Sequence, residues 1–451
     1  MRDTTDNVAV DRSDLQGNIL RGYALPQAAY VFLRVDDQAT ARRWLGEVAE
    51  RVTTAEPWTE ARPETTLNVA FTHAGLAALG APPEALAAFP EDFRQGMAAR
   101  ADRLGDAGED APGRWEQGMG SGEAHVLVMV NAREPAVLED ELRRVLEMAG
   151  GADGGLAVVH EQRAGGLEGN REHFGFSDGL AQPAIKGDGV KATPGQGTPE
   201  AGGTWSELEL GEFILGHPDG DQELAQAPAG PLGHNATFMV YRKLHQEVAA
   251  FRQILRNRGG GAPGGEELLA AKIVGRWRDG TPLVLSPDGS DRERYTDPEK
   301  INDFRYEDDL DGRRCPVGAH VRRTNPRDAL GWNGTRSRRH RMIRRGMPYG
   351  PPLPEGAFED DGTDRGLIFV CFVASLARQF EVVQRQWCAD GNIFGLGDDR
   401  DFLLLADDRD TAKMTIQGDP PRFIAPQPRT ITVRGGEYLL VPSMSGLRSL
   451  I

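Results

Sequence analysis

Apolar residues fall in short runs separated by glycine- and proline-rich stretches, and the spacing inside each run distinguishes strand from helix. The run Ala-Ala-Tyr-Val-Phe-Leu from position 28 predicts a strand over 28–35, followed by a helix to about residue 50. A second short strand is predicted over 67–72. A helix opens at 73–79, breaks near Pro82-Pro83 and is followed by a helical stretch over 84–104 that stops at Gly105. Residues 125–130 predict a strand, 135–148 an amphipathic helix and 155–160 a fourth strand. The first half therefore reads β-α-β, a helical insertion, then β-α-β.

A Gly/Pro/Thr-rich stretch, 187–204, predicts a linker or long loop. A comparable order then recurs. A strand over 236–242 runs into a helix over 244–256, a strand over 367–372 runs into a helix over 374–387, and 429–433 and 437–441 close the chain as strands. Two similar α+β halves imply an internal duplication, with sheets facing one another and helices outside. The repeat lies in the order of elements, because the halves share no convincing sequence self-identity. The halves are drawn as 1–200 and 201–451.

The length of 451 residues suits two or three domains or one large duplicated one. Glycine, at 56 residues, is well above the typical ~7% and implies long loops around a regular scaffold. The net charge of −16 argues against nucleic acid and anionic membranes as partners. One segment inverts that balance: from Arg313 to Arg345 there are eleven arginines, no lysine and a single acid, Asp328. This segment reads either as a solvated basic face or as an anion site, since arginine forks suit carboxylates and phosphates. Three scattered cysteines, Cys315, Cys371 and Cys388, argue against a disulfide framework and a structural zinc site. The polar N-terminus lacks an export signal and no apolar run approaches a membrane span, so a cytoplasmic location is expected.

Candidate chemistry starts at residues 173–183, His-Phe-Gly-Phe-Ser-Asp-Gly-Leu-Ala-Gln-Pro, where two glycines let the backbone bend around one carboxylate, Asp178. Taken alone, Ser-Asp-Gly is also an ordinary turn. None of the nine histidines has a zinc spacing. His320 stands apart by context, because Arg322, Arg323 and Arg327 follow it closely. An imidazole beside several guanidinium groups supplies what a haem needs, one axial ligand and cations for two propionates. Arg344 lies in a loop that Gly346 and Pro348 hold in place.

Gly-Phe-Ser-Asp-Gly (175–179), Ala-His-Val-Arg-Arg (319–323) with Pro-Arg at 326–327, and Arg-Arg-Gly-Met-Pro-Tyr-Gly (344–350) together resemble the dye-decolorizing peroxidase family. Fragments at 16–20, 238–244, 377–381 and 435–438 extend the resemblance over most of the chain and resemble its long-chain, cytoplasmic bacterial branch. The resemblance implies an α+β fold of duplicated ferredoxin-like domains with antiparallel sheets, barrel-like, with haem b in the C-terminal half. It carries over His320 as the proximal iron ligand, Asp178 as the distal acid–base group and Arg344 as the distal cation. Asp401 best matches the acid that receives the other N–H of the proximal histidine, with Glu381 and Asp398 as alternatives. Leu367 and Phe369 match the distal face, and Arg327, then Arg322, are the propionate partners.

The implied activity uses hydrogen peroxide to oxidise dyes and phenolic or lignin-like compounds through a ferryl intermediate, with Mn(II) a further reductant. A monomer or homodimer is expected. Two rival readings use the same ligands: a haem carrier or sensor, and a haem-processing protein.

Overall fold

The computed structural model describes residues 10–58, 61–149, 155–200, 202–405 and 413–451. The continuous apolar run at 28–33 is a strand buried on both faces, β1 (Gln27–Val35). It pairs antiparallel with β3 (Val126–Ala132) on one side and β4 (Leu156–Gly165) on the other, and β2 (Thr65–Phe71) pairs with β3. The first half-sheet is thus ordered β4-β1-β3-β2. Two short strands, β5 (Thr198–Pro199) and β6 (Trp205–Ser206), form a small hairpin inside the linker region.

The second half repeats the order. β7 (Thr237–Gln246) is flanked by β10 (Gly366–Val373) and by the C-terminal strand β13 (Ile431–Val441). The short strands β8 (Ile343–Arg344) and β9 (Met347–Tyr349) both pair with β10. A separate hairpin joins β11 (Met414–Ile416) to β12 (Arg422–Ile424). In both halves the first strand in sequence lies between the last and the third, and the second lies beyond the third. This shared order is the duplication expected from the sequence.

The halves join where Leu440 of β13 faces Phe71 of β2, giving one nine-stranded sheet. The sheet curls back on itself. The Tyr241 ring of β7 meets Phe32 at 5.0 Å and Tyr30 at 5.6 Å, both on β1. The far edges, β4 and β9, also approach one another. Alternation along the strands then assigns two faces to the second half-sheet: Tyr241, Val370 and Phe372 point inward, whereas Arg242, Leu244, Leu367 and Phe369 point outward.

Several boundaries differ from expectation. The helical stretch over 84–104 is a series of short pieces, Pro83–Ala88, Glu91–Gln95, Ala98–Arg100 and Ala101–Leu104, because Pro90 and Gly96 interrupt it. The fourth strand extends to Gly165. β7 runs on to Gln246, so its helix starts late, at Val248–Arg258. The closing strands are one, β13, with a bulge between Val433 and Gly435. The segment after β10 has wide π-helical turns, Ala377–Glu381 and Val383–Cys388. The helix Gly265–Val274 was not anticipated. Its buried residues, Leu269, Ala270, Ala271, Ile273 and Val274, are spread wider than one stripe because they pack into two apolar clusters.

Candidate active site

The loop before the second half is wound around a carboxylate. Glu172 Oε2 accepts the Phe174 N–H at 2.8 Å and the Gln246 side-chain amide at 2.6 Å, while Oε1 accepts the Phe176 N–H at 2.8 Å. Burial raises the Glu172 pKa, and these three donors oppose the rise. Gly175 and Gly179 adopt φ of +96° and +70°, conformations that residues with a Cβ rarely take. At Gly175 a Cβ would also lie 2.9 Å from Nη1 of Arg278, a group that donates to the Phe174 carbonyl.

The result is a fixed presentation of Asp178. Its N–H donates to Asn170 O at 3.0 Å and its carbonyl accepts the Asn170 amide at 2.8 Å. Oδ1 accepts the Gly179 N–H at 2.6 Å, which leaves Oδ2 available. Glu172 and Gln246 were missed in sequence because neither belongs to a recognisable motif.

Arg344 is held against this loop by Gln182. The Gln182 side chain accepts the Arg344 N–H at 3.0 Å and donates to the Arg344 carbonyl at 2.8 Å. The Arg344 guanidinium donates to the Ala181 carbonyl at 3.2 Å. Asp178 and Arg344 both line a cavity of about 330 Å³ on the outer face of the second half-sheet. Leu367, Phe369 and Arg327 line it as well, and so does His320, which opens the short helix His320–Thr324.

His320 Nδ1 lies 2.8 Å from Asp401 Oδ2, so Nε2 is the ring nitrogen left for the cavity. Asp401 is fully buried, and its Oδ1 accepts the N–H groups of Leu403 and Leu404 at 3.1 and 3.0 Å. Burial acts to raise its pKa, but the His320 charge and hydrogen bond, Arg323 and the Leu404 N–H outweigh it and hold the carboxyl below its ordinary value. The two alternatives lie elsewhere: Glu381 is bound by Arg100 and Tyr438, and Asp398 is exposed.

The arginine-rich segment divides into two populations. Arg338 and Arg339 form ion pairs with Asp219, Asp221 and Glu223, so that acidic loop is neutralised rather than open to a cation. Asp328, the one acid in the segment, accepts backbone N–H groups of Tyr306 and Glu307 and forms no ion pair with an arginine among the described residues. Around the cavity, Arg327 donates to the carbonyls of Asn302 and Phe304, and Arg341 to those of Gln196 and Gly197. Arg276, outside the segment, donates to two carbonyls and Asn302. None of these three forms an ion pair among the described residues. Burial pushes Arg327 and Arg276 down to about 10 and Arg341 to about 9; neighbouring arginines add to the effect at Arg276 and Arg341, whereas Tyr306, Asp328 and Asp303 oppose it at Arg327.

Arg322 does not line this cavity. It is turned toward Asp309 and the carbonyl of Cys315, so its charge is already satisfied. Arg276 and Arg341 line the cavity in its place; Arg341 belongs to the arginine-rich segment read as a possible anion site, whereas nothing in the local sequence marks Arg276.

These features fit a haem. A single imidazole nitrogen faces a space walled by Leu367, Phe369 and Phe380, and buried cations without carboxylates stand where an anionic edge would rest. Among the described residues there is no cluster of three or more His, Cys, Asp or Glu side chains of the kind that holds a metal ion directly.

Comparisons with known proteins agree with this chemistry. Residues 14–160 match the family described as the DyP dimeric alpha+beta barrel domain, and residues 286–394 match the Dyp-type peroxidase C-terminal family. The chain is 30% identical to the multifunctional dye peroxidase DyP2 of Amycolatopsis sp., covering 100% of this chain and 98% of that protein. It is 28% identical to the dye-decolorizing peroxidase msp1 of Mycetinis scorodonius, covering 99% and 89%. A solved structure of an ancestral D-type dye-decolorizing peroxidase superposes with a TM-score of 0.84 at 28% identity, over 98% of this chain and 99% of that one.

Proposed function

The chain belongs to the dye-decolorizing peroxidase family, and on that premise we propose how its residues carry out the reaction. It is a haem-dependent peroxidase acting on dyes and phenolic compounds. The observation that carries the site assignment is the convergence of His320, Asp178 and Arg344 on one cavity, with His320 tied to the buried Asp401.

His320 Nε2 would hold the iron of haem b, and Asp401 fixes the ring orientation and raises the basicity of the ligand. Arg327, Arg341 and Arg276 would receive the propionates, which supply the negative charge this corner lacks. When bound, the haem supplies an iron centre that exchanges electrons with peroxide and reductant. Asp178 Oδ2 takes a proton from hydrogen peroxide and returns it to the departing oxygen. Arg344 stabilises negative charge as it develops on that oxygen. Leu367 and Phe369 limit water beside these two groups.

The repeats correspond to residues 1–200 and 201–451, with the Asp178 loop contributed by the first to a cavity of the second. Both walls of the barrel come from one chain, so a monomer is sufficient and a homodimer is compatible. Placement in a long-chain bacterial branch rests on the fragments at 16–20, 238–244, 377–381 and 435–438, since fungal relatives match over the same extent as the Amycolatopsis protein. Three free, buried cysteines suit a reducing cytoplasm. Mn(II), a reductant that the resemblance allows, finds no ready-made cluster of three such ligands among the described residues.

The test is reconstitution. Protein supplied with haem should show the absorption band of a histidine-ligated ferric haem, and His320→Ala should lose haem or its fifth ligand. Turnover of a dye with peroxide separates this reading from a haem carrier. A chain that takes up no haem when supplied with excess would end it.

A further inference from the structure

A second and larger space, about 850 Å³, lies on the inner side of the barrel mouth. Its walls include Tyr30 of β1, Met129 and Asn131 of β3, and Val370 and Phe372 of β10. It is therefore separated from the haem cavity by the second half-sheet and the loop carrying Asp178. Asp178, Gln182 and Arg344 border both spaces.

The charge of this chamber is opposite to that of the chain. Six cationic side chains line it, Arg21, Arg62, Arg171, Lys191, Arg344 and Arg345, against two carboxylates, Asp178 and Asp188. Arg345 is half-buried. Its guanidinium donates to the carbonyls of Asn18, Ile19 and Arg344, and it forms no ion pair among the described residues. Carbonyl dipoles orient a guanidinium but do not cancel its charge, and burial already presses it down to about 10. One side of the chamber is aromatic. Tyr23 and Trp58 stack with centroids 6.0 Å apart and planes at 29°, and the Tyr23 hydroxyl is fixed by Asn68 Oδ1 at 2.8 Å.

A half-buried guanidinium without an ion pair among the described residues and an aromatic platform in one chamber are complementary to a ring bearing an anionic group. The volume lies within the roughly 300–1,000 Å³ of small-molecule sites. We propose that the inter-sheet chamber is a binding site for an aromatic carboxylate, with the ring on Tyr23 and Trp58 and the carboxylate on Arg345. The occupant lies against the opposite side of Arg344 from the haem cavity. Its binding does not depend on the peroxidase reading.

Isothermal titration calorimetry tests this on the haem-loaded protein without peroxide, using 3,4-dimethoxybenzoate and the neutral 3,4-dimethoxybenzyl alcohol. The carboxylate should bind at least about tenfold more tightly than the alcohol. Arg345→Gln should remove that preference and leave the alcohol unchanged. Trp58→Ala should weaken both by about threefold or more. Equal affinities for the two probes, no binding of the carboxylate, or an Arg345→Gln protein that keeps the preference would each overturn the site. If Arg345→Gln does not fold, unchanged carboxylate affinity in Trp58→Ala does so. Should the chain fail to load haem, the same variants measured on the haem-free protein decide the chamber separately.

Discussion

The two halves of the chain share a strand order and differ in what covers their outer faces. In the first half, the connection from β1 to β2 holds the helix Gln38–Ala49, and that from β3 to β4 holds Pro135–Met148. These helices pack directly on the sheet, and Trp44, almost fully buried, donates its indole N–H to Val145 O at 3.1 Å. In the second half, the corresponding connections are much longer. The one between β7 and β8 runs over 247–342 and carries His320 and the arginines; the one between β10 and β13 runs over 374–430 and carries Asp401. Long connections lift the covering layer from the sheet, and the gap becomes a cavity. Duplication supplies the scaffold, insertions into the second copy supply His320 and Asp401, and the stretch between β4 and β7 supplies Asp178.

This contrast predicts that a large deletion in the first half acts on stability. Trp44→Ala should cost about 3–5 kcal/mol, read as a lower urea midpoint, because its packed site leaves a void that cannot collapse. The haem band of the still-folded protein should be retained. The opposite pattern is expected at the cavity. Arg344→Leu should slow the reaction with peroxide by about 10²–10³-fold in stopped-flow traces while the urea midpoint changes little. A large stability loss there would erase the distinction between the halves.

The seam between them should respond to pH. Glu437 on β13 is buried and accepts one N–H, from Gly120 of the first half, at 2.9 Å. Burial pushes its pKa from 4.5 up to about 7. The folded chain then holds this proton more tightly than the unfolded one. The stability tied to it is fully present below about pH 4.5 and is lost as the pH rises through 7, amounting to about 3 kcal/mol. Glu437→Gln should flatten urea midpoints measured between pH 4.5 and 7.5. The smallest expected effect is local to the site: Asp401→Asn should weaken haem affinity by about 10–100-fold in competition with a haem scavenger.

Much of the scaffold was legible because its signals are local. The apolar run at 28–33, the amphipathic spacing of 135–148 and the proline pair at 82–83 each report on their own neighbourhood. So do Gly175 and Gly179, whose positive φ values agree with the bend read from their composition. Signals that depend on a distant partner were read less well. Arg322 and Arg327 are equivalent in sequence, yet one meets Asp309 and the other faces the cavity. The wide turns over 377–388 follow no local rule, and Glu172 acquires its role only from Gln246 on β7.

By itself, the sequence determined the kinds of element, their repeated order and the residue types the chemistry requires, because a period of two or of 3.6 is written in consecutive positions. Tertiary structure decided among the three acids the sequence offered to His320, and it alone decided which arginines remain without an ion pair and that a second, cationic chamber lies behind Arg344. Those outcomes depend on which distant side chains share a space, and burial there makes an absent countercharge costly in a way that no local spacing records.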